Sequence, residues 1–252
     1  MSTVIAGMAR VGDFFAMVLG SFRAMFRRPF PIGEVLEQTV FIAGVCILPV
    51  IFVTIPFTVL TQFFLGQLTT EIGGNDISGA GAGLAVVQEL GPMCSVLVVA
   101  GAGATAVTAD LGARKIREEL DALQVMGLDP LHRLVAPRII AFIIVTIGLS
   151  GIVMVVGLAG TMIFSVLALH SSPGLFLSTL TLITSPAAFW TAIIKTATFG
   201  TAAALVACYL GINAKGGPKG VGEAVNQTVV FTLMILMALN TVITGVFLQV
   251  SG

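Results

Sequence analysis

Two ionisable side chains lie inside long apolar stretches, and they are the first candidates for chemistry. Glu89 precedes a Gly-Pro pair in VVQELGP, and Lys195 lies in FWTAIIKTATFG. A charge at the centre of a membrane helix costs about 3 kcal/mol on insertion scales, so such residues usually face a partner or a water-filled cavity. The two side chains have opposite signs and comparable depth, and they could pair. Alternatively, each extends independently to the outer interface of the membrane.

A second group of charges lies in the segment IREELDALQVMGLDP, residues 116–130, in a chain that is only 10% charged. Its apolar residues recur at helical spacing and form one stripe. These residues are Ile116, Leu120, Leu123 and Met126. Gly127 and Pro130 supply a helix stop and a turn. The pattern predicts a short amphipathic helix over residues 112–128.

The signs of the charges in this helix indicate what it could contact. A helix that lies on anionic lipid favours Lys and Arg on its polar face, whereas this one carries acidic residues as well. The segment therefore fits docking against another protein better; the simpler alternative is a solvated helix with no partner. The residues that we predict to make this contact are Arg114, Arg117, Glu118, Glu119, Asp121 and Leu123.

Small residues form a third pattern, in VVAGAGATAVTAD. Gly101 and Thr105 have the small-xxx-small spacing that lets two helices approach closely. We predict that this face either packs against another helix or widens a cavity.

The elements that must position these residues are membrane helices. The chain is 57% hydrophobic with a mean hydropathy of +1.07, whereas soluble chains are about one quarter charged and lack long apolar runs. About 20 apolar residues cross a bilayer core, and a helix satisfies every backbone group there. We therefore predict an all-α integral membrane protein. Its five transmembrane helices are predicted at residues 40–66, 84–108, 138–168, 187–211 and 225–249.

The positions of Lys and Arg predict the orientation of the chain. Eleven of the twelve basic residues fall before span one, between spans two and three, or between spans four and five. Because basic residues accumulate in cytoplasmic loops, we expect a cytoplasmic N-terminus and an extracytoplasmic C-terminus. Residues 1–38 combine apolar residues at helical spacing with arginines, which predicts a helix lying in the cytoplasmic interface. The alternative is a short, partly ordered tail.

Sequence signatures of catalysis and of cofactor binding are missing from the chain. The segment GINAKGGPKG has its glycines and lysines in the wrong order for a phosphate-binding loop. His132 and His170 lie too far apart to suggest a metal pair. The net charge is zero, and no basic cluster indicates nucleic acid binding. We therefore predict no catalytic residue, no metal site and no bound cofactor, and a non-enzymatic chain whose energy source lies in another protein.

Two long segments resemble a known family. The run ELGPMCSVLVVAGAGATAVTADLGARKIREELDALQVMGLDPLHRLVAPRIIA closely resembles the signature region of MlaE/YrbE-type permeases, the membrane subunits of ABC lipid transporters that work with MCE-domain proteins. The later run KTATFGTAAALVACYLGINAKGGPKGVGEAVNQTVVFT resembles the second block of that family. The resemblance extends from about Pro29 to the end. LEQTVFIAGVCILPV and SGAGAG are most similar to the actinobacterial A-type YrbE of Mce systems.

The resemblance implies one permease domain over residues 1–252, in the plasma (inner) membrane. The helix at 112–128 would be a coupling helix seated in a groove of a separate cytoplasmic ATPase, which would use ATP and Mg. The six contact residues given above would then meet that ATPase. Further implied partners are a second, B-type YrbE permease and MCE-domain proteins. The implied cargo is lipid: fatty acid, sterol or phospholipid, passing near Glu89 and Lys195.

Two other classes of function compete with this interpretation. An ion-coupled secondary transporter or channel subunit normally needs more polar groups at the membrane midplane, and often an internal repeat. A membrane-embedded enzyme acting on lipid would need a cluster of acidic, histidine or metal-binding residues. The sequence indicates none of these features.

Overall fold

The computed structural model describes residues 2–27, 30–71, 78–168, 172–183 and 186–251, and His170 lies outside these ranges. Within them the chain is helical and has no β-strand. The α-helices are α1 Ser2–Met25, α2 Ile32–Glu71, α3 Ser78–Gly83, α4 Gly91–Val98, α5 Ala104–Ile116, α6 Glu119–Val125, α7 Ala136–Ala168, α8 Pro173–Ile183, α9 Pro186–Ile212 and α10 Gly217–Ser251.

Five helical stretches of the described residues are long and apolar enough to cross a membrane. They are Ile32–Leu68, Gly79–Ile116, Leu131–Ala168, Ala187–Ile212 and Gly217–Phe247. Each overlaps one predicted span, so the prediction of an all-α protein with five such helices is confirmed. Four of the five are several residues longer than predicted, because a helix continues into polar sequence after its apolar run has ended.

The second stretch contains two π-helical turns, Leu84–Leu90 and Val99–Gly103. At the end of the first, the Gly91 N–H bonds the Val86 carbonyl, five residues back. Pro92 follows and has no N–H to offer. A widened turn of this kind is rare and is often found at a functional site.

The described residues form two compact units. Unit 1 comprises residues 1–43, 100–145 and 200–235, and unit 2 comprises residues 44–99, 146–199 and 236–252. By sequence, eleven of the twelve Lys and Arg residues fall in the segments of unit 1. Lys195 is the remaining one and belongs to unit 2.

In unit 1, small residues and hydroxyl groups join α5, α9 and α10. A Cβ added to Gly211 would lie 2.8 Å from Leu111 Cβ, and one added to Gly112 would lie 3.0 Å from Val221 Cγ2. The buried Thr108 Oγ1 lies 2.9 Å from Thr228 Oγ1. The absence of side chains at the two glycines therefore brings the helices close enough for hydroxyl groups to bond between them.

In unit 2, α2 packs on α7 through a similar combination. A Cβ added to Gly157 would lie 3.0 Å from Thr58 Cγ2 and 2.9 Å from Val86 Cγ1. Gln62 lies one helical turn after Thr58, and Ser165 lies two turns after Gly157. The Gln62 Nε2 atom donates to Ser165 Oγ at 2.8 Å, and both residues are buried. Buried polar side chains are thus bonded across the helix contact, as membrane helices require.

Spans one and five leave most of their surface exposed in the single chain, whereas more than half of span two is buried. The exposed residues of span one include large apolar ones: Val40, Phe52, Leu60 and Phe64. Val242 and Val246 are similarly exposed in span five. Such surfaces require lipid or another apolar helix against them.

Candidate functional site

Lys195, on α9, is almost completely buried in unit 2, and its ammonium group contacts three acceptors. Nζ lies 3.0 Å from Glu89 Oε1, 2.9 Å from Thr244 Oγ1 and 3.4 Å from the Gln88 carbonyl oxygen. The Thr244 hydroxyl in turn donates to Glu89 Oε1 at 3.2 Å. A lysine ammonium has three N–H donors and no acceptor, so this arrangement matches its full bonding capacity. We name Glu89, Lys195 and Thr244 the charged triad.

The local sequence explains why a backbone carbonyl takes part. In a regular α-helix, the N–H of residue 92 would bond the carbonyl of residue 88. Pro92 has no N–H, so the Gln88 carbonyl lacks that donor and Lys195 lies next to it. Gly91 is required at the same place, since a Cβ there would lie 3.1 Å from the Val86 carbonyl oxygen and 3.2 Å from Met154. The sequence QELGP thus forms an acceptor for the lysine.

The two ends of the ion pair differ in exposure. The Lys195 side chain is 3% exposed, whereas that of Glu89 is 42% exposed. Beside the pair lies a cavity of about 30 Å³, which has room for water but not for a lipid. Its other lining residues are Gln88, Ala188, Thr191, Ala192, Ile243, Thr244 and Phe247. Both side chains line the cavity, and the carboxylate is the more exposed of the two.

A larger, apolar cavity of about 220 Å³ lies between α7 and α9 in unit 2. It is lined by Ile147, Ser150, Gly151, Met154, Phe189, Ile193 and Thr196. Apolar space of this size in a membrane protein is suited to hydrocarbon. It lies along spans three and four.

The segment predicted as one helix over residues 112–128 is divided in two. α5 continues to Ile116, and α6 begins at Glu119. Between them, Glu118 has φ of +60°, in the left-handed region that non-glycine residues rarely adopt. The break turns the predicted apolar stripe: Leu120 is buried, while Ile116 and Met126 are exposed. The amphipathic character is therefore present, but it is distributed over two helices.

The charges of this segment pair with one another across the break. Lys115 Nζ lies 3.2 Å from Asp121 Oδ1, and Arg117 Nε donates to Glu119 Oε1 at 2.7 Å. Arg114 lies between Asp110, at 3.2 Å, and Glu119, at 4.0 Å. The pairs of Lys115 with Asp121 and of Arg117 with Glu119 connect the end of α5 to α6 across the bend. Leu123 is half-buried, and Glu118 is exposed.

Large apolar side chains are strongly exposed at the end of α6. Val125 is 89% exposed and Met126 65%, and Leu128 follows them at the surface. Sequence reasoning assigned the protein contact to five charged residues and Leu123, and it missed this apolar tip. The signal was available in the run QVMGL, which places apolar residues next to a helix stop.

The predicted face of Gly101 and Thr105 has no close neighbour at Gly101 among the described residues. A Cβ added to Gly101 would have no atom within 4 Å, and Thr105 Oγ1 donates to the Gly101 carbonyl of its own helix at 2.8 Å. The close helix contacts of unit 1 use Gly112 and Gly211 instead. The face at Gly101 is open space in the single chain.

Comparison with known proteins identifies the family. Residues 35–246 match the family model described as Permease MlaE. The chain is 32% identical to the chloroplastic protein TRIGALACTOSYLDIACYLGLYCEROL 1 of Arabidopsis thaliana, over 83% of this chain and 59% of that protein. It is 32% identical to a probable ABC transporter permease protein of Synechocystis, over 80% of this chain and 75% of the relative. A probable ABC transporter permease protein of Rickettsia conorii is 28% identical, over 95% and 93% of the two chains.

The family model covers most of the chain, including all three charged-triad residues and the bend at Glu118. The five apolar helices fall almost entirely within the same range. With these helices and this family match, the chain is a multi-pass membrane protein, and it belongs to the MlaE permease family.

Proposed function

We propose that this chain is the transmembrane permease subunit of an ATP-driven lipid transporter. The match to the MlaE permease family over residues 35–246 carries the proposal. The names of two relatives support it, since both contain the words ABC transporter permease. A third relative carries the name of a lipid, trigalactosyldiacylglycerol. The cargo class is lipid, such as a fatty acid, a sterol or a phospholipid.

The energy source is a separate cytoplasmic ATPase that uses ATP and Mg and docks on α6. The contact set predicted from the sequence is Arg114, Arg117, Glu118, Glu119, Asp121 and Leu123, and the exposed Val125 and Met126 extend it. Ion pairs across the bend link α6 to the end of α5, so a displacement of α6 by the ATPase would be passed to the end of α5. This arrangement suits a coupling helix.

The lipid path runs beside the charged triad. Glu89 and Lys195 both line a small cavity, and Lys195 is the more buried of the two. Widening of that cavity would expose more of the ammonium, which binds a phosphate or carboxylate headgroup by charge-assisted hydrogen bonds. The exposed apolar face of span one would accompany the acyl chains.

The chain works with a second permease of the B-type, with MCE-domain proteins, and in the plasma (inner) membrane. A second chain would cover the exposed surfaces of spans one and five and the open face at Gly101 and Thr105. The segregation of basic residues into unit 1 supports a cytoplasmic N-terminus and an extracytoplasmic C-terminus.

Co-purification and reconstitution test this function. The chain is expressed with its ATPase, second permease and MCE proteins, and the complex is placed in liposomes that contain a labelled lipid. The proposal requires lipid transfer that depends on ATP and stops when the ATPase is omitted. Transfer that instead follows an ion gradient without ATP would favour the alternative, an ion-coupled secondary transporter or channel.

A further inference from the structure

One carboxylate in unit 1 is shared by two arginines from different helices. Asp110, on α5, has its Oδ2 atom 2.5 Å from Arg138 Nη2, on α7. Arg114 Nε lies 3.3 Å from Asp110 Oδ1 and 3.2 Å from Oδ2, from the opposite end of the same turn of α5. The acid therefore connects the first turn of α7 to the last turns of α5.

The two arginines differ in burial, and the difference shows how strongly each depends on the acid. The Arg138 side chain is 0% exposed, whereas that of Arg114 is partly exposed. Removing the partner of a buried charge is costly because the charge is left uncompensated. Arg138 Nη1 donates to the Leu134 carbonyl at 2.9 Å, which adds a neutral acceptor. Asp110 is thus the anion that balances Arg138 in the described structure.

One of the three guanidinium nitrogens of Arg138 has no hydrogen-bond partner among the described residues. This nitrogen is Nε, and it is buried. A guanidinium can bind a carboxylate through Nη2 alone or through Nε and Nη2 together, and the bidentate form is the stronger. The unsatisfied Nε therefore allows a second arrangement, in which the carboxylate of Asp110 contacts both Nε and Nη2.

The line of charges continues into α6. Arg114 Nη1 lies 4.0 Å from Glu119 Oε2, and Glu119 also accepts from Arg117. A displacement of α6 moves Glu119, then Arg114, and then the carboxylate that both arginines share. Packed networks with two discrete arrangements of this kind can connect distant sites.

We infer that Asp110 is a positioning residue that transmits movement of α6 to the start of α7, by changing how its carboxylate is divided between Arg114 and Arg138. The inference rests on the proposed function, in which an ATPase moves α6. When Arg114 is drawn away with α6, Asp110 engages Nε and Nη2 of Arg138 together. When α6 returns, Arg114 again binds the carboxylate of Asp110, and Arg138 again contacts it through Nη2 alone.

The test measures lipid transfer and ATP hydrolysis in the same reconstituted complex. Arg114→Gln removes the link to α6 and leaves the buried Asp110–Arg138 pair in place. Its expected effect is a lower number of lipids transferred per ATP, by roughly two- to thirtyfold, the range found for residues along coupling networks. The matched control is Lys215→Gln, which removes the same charge from an exposed lysine that pairs with Glu223, outside α5 and α6, and leaves this ratio unchanged.

A second pair of variants separates coupling from folding. Asp110→Asn removes the charge and is expected to lower the same ratio, and Asp110→Glu, which restores the carboxylate, to recover most of it. If Asp110→Asn fails to assemble, Arg114→Gln decides the question, because the buried pair remains there. A wild-type ratio in Arg114→Gln overturns the inference. Failure of the proposed function looks different: the wild-type complex itself would then show no ATP-dependent transfer.

Discussion

Lys195 and Glu89 lie 106 residues apart in sequence and form a 3.0 Å ion pair between α9 and the π-helical turn before Gly91. The lysine is buried and the glutamate is partly exposed. Substitution of the two residues is therefore expected to cost different amounts of stability, because a buried charge without a partner is far more costly than an exposed one.

The first prediction follows from that asymmetry. Glu89→Gln leaves the buried Lys195 ammonium without its anion and is expected to lower the free energy of unfolding by about 1–3 kcal/mol. This is less than the cost of breaking a fully buried ion pair, because the glutamate is partly exposed. Lys195→Met leaves a carboxylate that water can reach, so its loss is smaller. The double variant loses less than the sum of the two. Thermal unfolding in detergent measures all three, and strictly additive losses would show that the pair is not coupled.

Thr244 gives the second prediction. Its hydroxyl accepts from Lys195 and donates to Glu89. Thr244→Val therefore removes one hydrogen bond from the buried Lys195 and one from the half-buried Glu89, and it is expected to lower the free energy of unfolding by about 1–2 kcal/mol. Thr241→Val is the control on the same helix, since the exposed Thr241 hydroxyl donates only to the Met237 carbonyl of its own turn. Equal shifts in melting temperature for the two variants would remove Thr244 from the triad.

The third prediction concerns the end of α6. Val125→Gln removes an 89% exposed apolar side chain, and burial of a valine in a contact is worth about 1.5 kcal/mol or more. We therefore expect affinity for the ATPase to fall about tenfold, as measured by titration of the purified subunits. Gln124→Ala, at the neighbouring exposed position, serves as the control. Wild-type affinity in Val125→Gln, with loss of binding on charge reversal at Glu119, would assign the contact to charges instead.

The fourth prediction concerns the bend between α5 and α6. Glu118 adopts φ of +60°, a conformation that costs an ordinary residue about 1–2 kcal/mol and glycine very little. Glu118→Gly is therefore expected to be more stable than Glu118→Ala by about 1 kcal/mol, although both remove the carboxylate. Comparison of the two melting temperatures checks the geometry of the bend, which would be refuted if the alanine variant were the more stable.

The fifth prediction compares two glycines of α7. Gly157→Ala pushes a methyl group to within 3.0 Å of Thr58 and Val86 and should destabilise by about 1–3 kcal/mol, as overpacking does. Gly148→Ala meets no atom within 4 Å, and should be neutral or gain up to about 1 kcal/mol from helix propensity. A destabilising Gly148→Ala together with a neutral Gly157→Ala would contradict the described packing of α2 on α7.

Most of the fold could be predicted from the sequence, because the apolar runs and the charges that flank them are enough to locate the five membrane-spanning helices. Glu89 and Lys195 could be named for the same reason, as charges within such runs. Thr244 could not, since threonines are common in these helices and its part in the triad depends on how α10 lies against α9. The part played by the Gln88 carbonyl does have a sequence signal, because Pro92, four residues later, has no N–H to donate to it.

The segment around Glu118 shows a different limit of sequence reasoning. Left-handed backbone is expected at glycine or asparagine, so a glutamate within a regular helical pattern gives no sign of the break. Arg138 is a basic residue at the start of a long uncharged stretch, and from the sequence it indicates only how the chain is oriented in the membrane. Its complete burial and its bond to Asp110 arise from tertiary packing between α5 and α7.

The position of the lysine's acceptors along the chain has a consequence for biosynthesis. Gln88 and Glu89 are translated about a hundred residues before Lys195, and Thr244 follows 49 residues after it. When span four enters the bilayer from the translocon, the carboxylate of Glu89 and the carbonyl of Gln88 have therefore already been synthesised and can receive its ammonium. Thr244 can join only when span five has been inserted, so the last helix completes a site whose costly charge is already compensated.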